Sequence, residues 1–453
     1  MLGAKIAVAR AAGALSRRSG RGATSLPGKL LMRLEPSAIA RLARRLPQGS
    51  AVISATNGKT TTAAMVAAIL ERSGTRLVHN RAGANMAGGV ASVLLGAARG
   101  DGIDGDAGLF EVDEFWLDRV VAQLQPRALL LANLFRDQLD RYGELETIAG
   151  RWAATVAAAP ATRLVLNADD PLVADLGRDR ATGVTYFGVQ DDGVALRGMA
   201  HASDSKHCRR CGAPYAYDAI YMGHLGRYHC PNCDSRRPQP DVYASDVTLD
   251  GTRGARFALH LGGRRAVVSL PLPGLYNIYN ALGAAALTSA LGAPLDEIVA
   301  GLEATQAAFG RAETVRVGGR ELTILLVKNP AGANEVLRTL ALDAGEHDVL
   351  AVLNDRTADG RDVSWVWDAD FEVIAERVRR VTCSGTRAAE LALRLKYAGV
   401  APERLHVVPA LERGLDAALA DGAGRLVALP TYTAMLALRE LLVERGAARG
   451  SFA

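Results

Sequence analysis

The sequence predicts an α/β protein built as two units: a parallel, doubly wound sheet with a phosphate loop and an inserted four-cysteine metal ribbon, then a smaller Rossmann-like α/β unit. Three observations carry this. From Ser50 onward, short apolar runs alternate with text of helical period, the βαβ rhythm of a parallel sheet. Between Ser203 and Pro240 that rhythm breaks, and four cysteines stand there as two C-x2-C pairs. Near Glu321 a second βαβ series begins. A chain of 453 residues exceeds what one core can hold, and the expected divisions are 1–47, 48–313 (with the ribbon at 203–240) and 314–453.

Before Glu35 there are seven basic residues (Lys5, Arg10, Arg17, Arg18, Arg21, Lys29, Arg33) and no acidic one. The apolar run Ile6–Val8 is too short for a secretory signal. A solvated first helix is the commoner meaning of such a charge run. A basic amphipathic segment on an anionic surface is the alternative, and an Arg-rich transit peptide a minor one. The longest apolar runs, such as Ala128–Ala132 and Leu322–Val327, are strand-sized and far below the ~20 residues of a membrane span. Five cysteines, four of them clustered, point to a reducing compartment and a metal rather than disulfides.

Ala51–Ser54 reads as a strand and Thr60–Ser73 as a helix, with V-I-S-A-T-N-G-K-T-T-T-A across the junction. A phosphate loop of the form G-x-x-x-x-G-K-[ST] carries a glycine where this chain has Ile53, so the cradle is tighter, but its working parts remain. Gly58 lets backbone N–H groups approach a phosphate at the positive end of the helix. Lys59 is placed to reach the outer phosphate oxygens and the Thr60 hydroxyl to bind Mg²⁺, with Asn57 and Thr61 completing the loop. A carboxylate from a neighbouring strand end is then required; Glu111, closing the strand Gly108–Val112, is the first choice, with Asp113 and Glu114 read as a solvated acidic turn. Strands Arg76–His79, Ala128–Asn133 and Arg163–Asn167 follow the same rhythm.

S-A-T-N-G-K-T-T-T resembles the nucleotide loop of the Mur ligases, the ATP-dependent amide-forming enzymes of peptidoglycan synthesis. The likeness recurs in order at N-L-F-R-D-Q-L-D-R-Y-G (Asn133–Gly143), L-N-A-D-D-P (Leu166–Pro171), P-G-L-Y-N-I-Y-N-A-L (Pro273–Leu282) and F-G-R-A-E (Phe309–Glu313). It implies that Lys59 binds phosphate, that Thr60 and Glu111 hold Mg²⁺, that Asn280 meets the adenine of ATP and that Arg311 meets the nucleotide phosphates. Two positions depart from the family: Gln138 and Tyr276 stand where these ligases carry histidines. A second metal site is therefore not assigned. The implied chemistry transfers the γ-phosphate onto a carboxylate, and a nitrogen nucleophile attacks the resulting acyl phosphate.

Cys208 and Cys211, then Cys230 and Cys233, have the spacing of a four-cysteine zinc ribbon. With four protein ligands such a zinc is structural; His207, His224 and His229 nearby read as surface polar groups. Arg209, Arg210, Arg227, Arg236 and Arg237 raise the alternative of a nucleic-acid-binding ribbon, but an insertion in an ATPase unit better braces a lobe or a partner surface.

The ribbon, L-L-V-K-N-P-A-G-A-N-E-V-L (Leu325–Leu337) and L-N-D-R-T-A-D-G-R-D-V-S-W-V-W-D-A-D-F-E (Leu353–Glu372) are similar to the synthetase branch of the family found in lipid II isoglutaminyl synthases. That resemblance implies amidation of the α-carboxyl of D-glutamate in the lipid II stem peptide, with ammonia from a separate GatD-like glutaminase subunit docked on the C-terminal unit. It places the work in the cytoplasm at the inner face of the plasma membrane, without nucleic acid. An aspartate of the C-terminal unit then completes the glutaminase site. Asp355 follows a strand end directly and is preferred over Asp359 and Asp362, which read as turn residues. Lys328 and Asn329, at another strand end, are placed to meet the nucleotide. Cys383 also lies at a strand end, but it lacks the glycine and the His-Glu pair of a glutaminase nucleophile and reads as a buried thiol. The competing readings are an amino-acid-adding Mur ligase, a folylpolyglutamate-synthase-like ligase, and, from another class, a nucleotide switch or nucleic-acid-binding protein.

Overall fold

Both faces of the strand Ser50–Ser54 are buried, and that fixes the architecture around it. Successive side chains point to opposite faces: Ala51 and Ile53 enter one apolar core, Val52 another. Such a strand belongs in a sheet covered by helices on both sides. The computed structural model describes residues 2–18, 25–80, 84–137, 145–198, 203–306, 311–420 and 425–448. It contains a nine-stranded sheet ordered Arg264–Leu270, Ala255–Leu261, Val242–Leu249, Val184–Val189, Arg163–Asn167, Ala128–Leu131, Ser50–Ser54, Ala107–Glu111, Leu77–His79. From Val242–Leu249 to Leu77–His79 every pairing is parallel; the two remaining strands are antiparallel.

Helices Lys59–Arg72, Leu275–Ala290 and Leu295–Glu303 cover one face. The other is covered by Leu2–Arg18, Leu26–Leu34, Ala38–Ala43, Ala87–Ala97, Leu117–Leu124 and Leu145–Ala158. The 203–240 stretch forms a hairpin of Ala216–Met222 and Leu225–His229, flanked by the bridges His207 to Pro214 and His229 to Arg236 that shape the two cysteine turns.

The second sheet is ordered Arg311–Val317, Arg320–Leu325, Leu426–Pro430, His347–Val352, Val378–Ser384, Leu405–Val407. Its first pair is antiparallel and the rest are parallel. The strand Arg311–Val317 straddles the expected division at 313/314. Again the central strand alternates, Val349 and Ala351 into one core and Leu350 and Val352 into the other.

Three elements differ from the sequence reading. Val184–Val189 is a central parallel strand that the T-Y-F-G-V text did not announce, because Gly188 and two tolerated polar positions interrupt its apolar run. The helical region after Ile278 is two helices, broken at Gly292 (φ 100°). The ribbon hairpin is the third, its strands too rich in Tyr, His and Arg for apolar alternation to show.

Candidate active site

The loop Ala55–Gly58 leaves the middle of the first sheet and turns into the helix Lys59–Arg72 through Gly58 at φ 86°, a left-handed conformation suited to glycine. A Cβ at Gly58 would stand 2.0 Å from Oδ1 of Asn280, so Asn280 packs directly over the loop. Its side chain is buried and fixed: Oδ1 accepts from the Thr62 hydroxyl (3.2 Å) and Nδ2 donates to Oδ1 of Asn277 (3.0 Å). Thr61 is buried beside it in the first helical turn.

Register brings the acidic partner into place. Ile53 pairs with Glu111 across parallel neighbours, so Glu111 ends its strand beside the loop. The Thr60 hydroxyl donates to Oε1 of Glu111 at 3.1 Å. Two adjacent oxygens on an octahedral Mg²⁺ at ~2.1 Å are ~3 Å apart, so this pair fits the ion assigned to it. Glu111 is 4 % exposed. Its backbone is clamped by Asn80, whose Oδ1 accepts from the Glu111 N–H (2.9 Å) and whose Nδ2 donates to the Glu111 carbonyl (2.7 Å).

Lys59 is buried, donating to the Ala55 carbonyl and to Oε2 of Glu114 at 2.8 Å. Burial alone would depress its pKa, but Glu114, Asp113 and Glu111 together hold it above the ordinary lysine value. Asp113 moves the other way: burial and the Glu114 charge push its carboxyl up against the pull of Lys59. Asp113 and Glu114 are thus not a solvated turn. A lysine so surrounded by carboxylates stays charged although it is buried.

The second unit reaches this loop directly. The Lys328 ammonium donates to the Thr56 carbonyl (3.1 Å) and to Oδ2 of Asp137 (2.5 Å). Asn57 and Asn329 exchange amide hydrogen bonds of 3.3 and 3.0 Å, while Asn57 also shares a reciprocal pair with Asn133, 2.9 and 3.0 Å. Asn329 in turn caps the helix Pro330–Leu342 by accepting from Gly332 N–H (2.9 Å). Arg311 begins the edge strand of the second sheet, and its side chain lies outside the described residues, as does Gln138. Tyr276 lies half-buried in the helix Leu275–Ala290, and burial, with the Glu335 charge, raises its pKa.

At the same end of the second sheet, Asp355 is one-third exposed. Oδ1 accepts from the Thr386 hydroxyl (2.8 Å) and Oδ2 faces the Arg387 guanidinium (3.3 Å); the Thr386 contact foremost, with help from Arg387, holds its carboxyl below the usual range against the opposing effect of burial. Asp359 is instead consumed internally, accepting from Thr433 N–H (2.7 Å) and hydroxyl (2.5 Å), and Asp362 caps Ser364 N–H (2.8 Å). Cys383 is a buried strand thiol that burial pushes up to about 12, the wrong direction for a nucleophile.

The four ribbon cysteines converge, their sulfurs all within 4.8 Å of one another, with Cys208–Cys233 at 3.6 Å and Cys211–Cys230 at 3.4 Å. Tetrahedral Zn–S bonds of ~2.3 Å place sulfurs ~3.8 Å apart, and this set is close to that. Burial opposes ionisation of Cys208, but N–H groups of Arg210 and Cys211 overcome it and bring the thiol down to about 6. Of the three histidines, His207 and His229 are exposed, whereas His224 is fully buried, its Nε2 3.4 Å from Oδ2 of Asp170 and its ring against Phe135 (4.9 Å between centroids). The surface expectation fails for His224 because it sits at the inner turn of the hairpin.

Two family models match: the Mur ligase middle domain over residues 53–233 and the MurT ligase C-terminal region over 326–435. The chain is 33% identical over 429 residues to the Streptococcus pneumoniae lipid II isoglutaminyl synthase (glutamine-hydrolyzing) subunit MurT, covering 94% of each chain. It is 33% identical over 441 residues to the Staphylococcus aureus subunit of the same name, covering 96% of this chain and 97% of that one. The chain belongs to the MurT family. Among solved structures, a pseudomurein peptide ligase type C from Methanothermus fervidus superposes with a TM-score of 0.68 at 23% identity, over 89% of this chain and 80% of that one. Mycobacterium tuberculosis folylpolyglutamate synthase, complexed with ADP and AMPPCP, does so with 0.59 at 19% identity, over 92% and 98%. These two show the fold. The wider Mur ligase family to which MurT proteins belong uses ATP and Mg²⁺.

In this MurT-family chain the sequence reading brought together Lys59, Thr60, Glu111 and Asn280, and it missed what supports them. Asn80 carries no motif of its own; Asn133 heads the Asn133–Gly143 stretch and Glu114 belongs to the acidic turn, but neither reads in sequence as a support for the loop. Among the described residues no helix is long and apolar enough to cross a membrane.

Proposed function

We propose that this chain is the ATP-dependent synthetase subunit of a two-subunit amidotransferase that converts the α-carboxyl of D-glutamate in the lipid II stem peptide to the amide. The observation that carries the reading is the convergence on one loop of Lys59, the Thr60–Glu111 pair and, from the second sheet, Lys328 and Asn329. Lys59 and the backbone N–H groups after Gly58 bind the ATP phosphates, with Asn280 toward the base and Arg311 toward the phosphates. Thr60 and Glu111 hold Mg²⁺, which neutralises charge as the γ-phosphate is transferred. The carboxylate becomes an acyl phosphate, ammonia attacks its carbonyl carbon, and phosphate leaves. Lys59 exchanges Glu114 for phosphate oxygens, a swap between partners of like charge that keeps its own charge matched.

Ammonia comes from a GatD-like glutaminase, and Asp355 orients the histidine of that partner. The strand preceding Lys328 and the strand preceding Asp355 are separated by one strand, Leu426–Pro430, hence by ~10 Å at ~4.8 Å per strand. Both leave the same edge of the sheet, so ammonia made beside Asp355 has a short path to the phosphate loop. The cysteine cluster holds a structural zinc. Reconstitution with a glutaminase partner and lipid II tests the reading: ATP, glutamine and both subunits together should yield the amide and phosphate. Addition of an amino acid in place of ammonia, without any partner, would instead make the chain an amino-acid-adding ligase.

A further inference from the structure

The first two helices present to solvent a surface that the reaction does not use. Helix Leu26–Leu34 is locked on its inner side: a Cβ at Gly28 would stand 2.0 Å from the Gly88 carbonyl oxygen, and the Gly28 N–H donates to the Ser92 hydroxyl at 2.9 Å. Its outward stripe is therefore fixed, and it reads Leu26, Lys29, Leu30, Arg33, Leu34, at the i, i+3, i+4, i+7, i+8 positions of one helical face. Leu26 is 48% and Leu34 38% exposed. Helix Leu2–Arg18 packs beside it on Leu2, Ile6 and Ala9 and turns Ala4, Ala7, Val8, Ala11 and Ala14 outward, with Val8 53% exposed. A cavity of about 280 Å³ opens along this helix, walled by Gly3, Ile6, Ala7, Arg10, Ala98 and Gly100.

Charge supplies the identity of what covers this face. The segment before Glu35 carries seven cations and no anion, and Glu35 itself is taken up by Lys5 and Arg41, both at 3.1 Å. Three of the twelve exposed large apolar side chains among the described residues lie in these first thirty-four positions, an excess for so short a stretch. Leucines alternating with lysine and arginine on an exposed helix face match the boundary of an anionic bilayer, where the aliphatic groups enter the acyl region and the cations meet phosphate headgroups. Nucleic acid would use the cations but leave the leucines unburied, and no aromatic side chain stands on this stripe to stack a base.

We propose that helices Leu2–Arg18 and Leu26–Leu34 form a peripheral docking face for an anionic lipid membrane, the mixed Leu/Lys/Arg stripe lying in the headgroup plane. This goes beyond the proposed reaction and does not depend on it. The full-length protein is to be sedimented with phosphatidylcholine vesicles and with vesicles that also contain phosphatidylglycerol. It should pellet with the anionic vesicles alone and be released by salt, which screens the headgroup charge. Lys29→Gln with Arg33→Gln should lower partition about 25-fold, at about fivefold for each cation near such a surface. Leu26→Gln with Leu34→Gln should also weaken partition while leaving its salt dependence. ATP-dependent amidation of a water-soluble substrate analogue should be unchanged in both variants, so loss of vesicle binding and failure of the reaction are read separately. Equal partition onto the two vesicle types, or wild-type partition by both variants, overturns the proposal. So does binding of duplex DNA or RNA that the cation variant loses and the leucine variant keeps, or a dimer that the leucine variant dissociates.

Discussion

Asp355→Asn separates the two halves of the proposed machine, and the structure sets the size of each effect. Asp355 is held below the ordinary carboxylate range by the Thr386 hydroxyl and Arg387, so it is ionised at neutral pH and the substitution removes a full charge. The cost to folding is small. The carboxylate is one-third exposed, and Arg387 keeps its 2.6 Å contact with Glu390; a pair so placed contributes about 0–1 kcal/mol. The cost to glutamine hydrolysis is large if Asp355 orients a partner histidine: an Asn in that position favours the wrong tautomer, and the analogous change in a serine-protease triad lowers kcat about 10⁴-fold. The two outcomes differ by several orders of magnitude and cannot be confused. The assay runs amidation in parallel with glutamine and with concentrated ammonium salt, together with ATP binding. The expected result is near-complete loss with glutamine, substantial retention with ammonia and unchanged ATP affinity. Equal loss with both nitrogen sources would place Asp355 in the synthetase site or in folding, and the division of labour would be wrong.

Other expectations follow from the same geometry. Lys59→Ala should abolish ATP-dependent amidation in a protein that still folds and keeps its metal, with a lowered melting temperature because Glu114 and Asp113 lose their buried cation; residual activity of wild-type order would remove the loop from the phosphate site. Glu111→Gln should raise the Mg²⁺ concentration needed for half-maximal rate by about tenfold or more, since one of two adjacent oxygen ligands loses its charge; an unchanged requirement refutes the assignment. Metal analysis should find one zinc per chain, lost from the Cys208→Ser, Cys211→Ser protein together with several kcal/mol of stability. Asn329→Ala should leave the fold intact and weaken nucleotide affinity, because it removes the amide pair that seats the second unit on Asn57; calorimetric titration with a non-hydrolysable ATP analogue reads this directly.

What was legible in the sequence was what local pattern encodes. A strand, a glycine at a left-handed position and a helix are neighbours in sequence, and Gly58, Lys59 and Thr60 stand where that pattern puts them. The cysteine spacing likewise brings the four thiols together. The contacts that support the loop were not legible because their partners are remote: Asn57 meets Asn329 across 272 positions, Thr62 meets Asn280 across 218, Lys59 meets Glu114 across 55. Asp113 and Glu114 illustrate the limit. An acidic turn after a strand is ordinarily solvated, and nothing local distinguishes the case in which a buried lysine waits beneath it. His224 failed for the same reason, since the inside of a hairpin turn is defined by what the hairpin packs on.

A buried ion pair couples the end of the cysteine stretch to the residues that pack on the helix carrying Asn280, which their distance in sequence hides. Arg237, just past the last cysteine, lies 2.5 Å from Oδ1 of Asp169, and the two side chains are 7% and 0% exposed. Asp169 also accepts from Val189 N–H (2.8 Å) and from the hydroxyl of Tyr279 (2.7 Å), the residue before Asn280. Burial pushes the Asp169 carboxyl up in spite of these three partners, Arg237 foremost. Arg237→Met keeps much of the buried volume but leaves the carboxylate without its cation, and breaking a buried pair on one side costs about 3–5 kcal/mol. The sign of the pH dependence follows. A carboxyl whose folded pKa lies above its unfolded value of ~3.9 contributes stability that is present below the unfolded pKa and lost as pH rises through the folded one. Removing Arg237 raises that folded pKa further, so the variant should lose stability relative to the parent with rising pH, at up to about 1.4 kcal/mol per pH unit for one proton. Urea midpoints measured at mildly acidic and mildly alkaline pH read the difference, and Arg237→Met with Asp169→Asn should recover part of it by removing the stranded charge. A deficit that is the same at both pH values, or one that the second substitution deepens, would mean that Arg237 acts through packing alone and that the ribbon is not electrostatically coupled to the helix carrying Asn280.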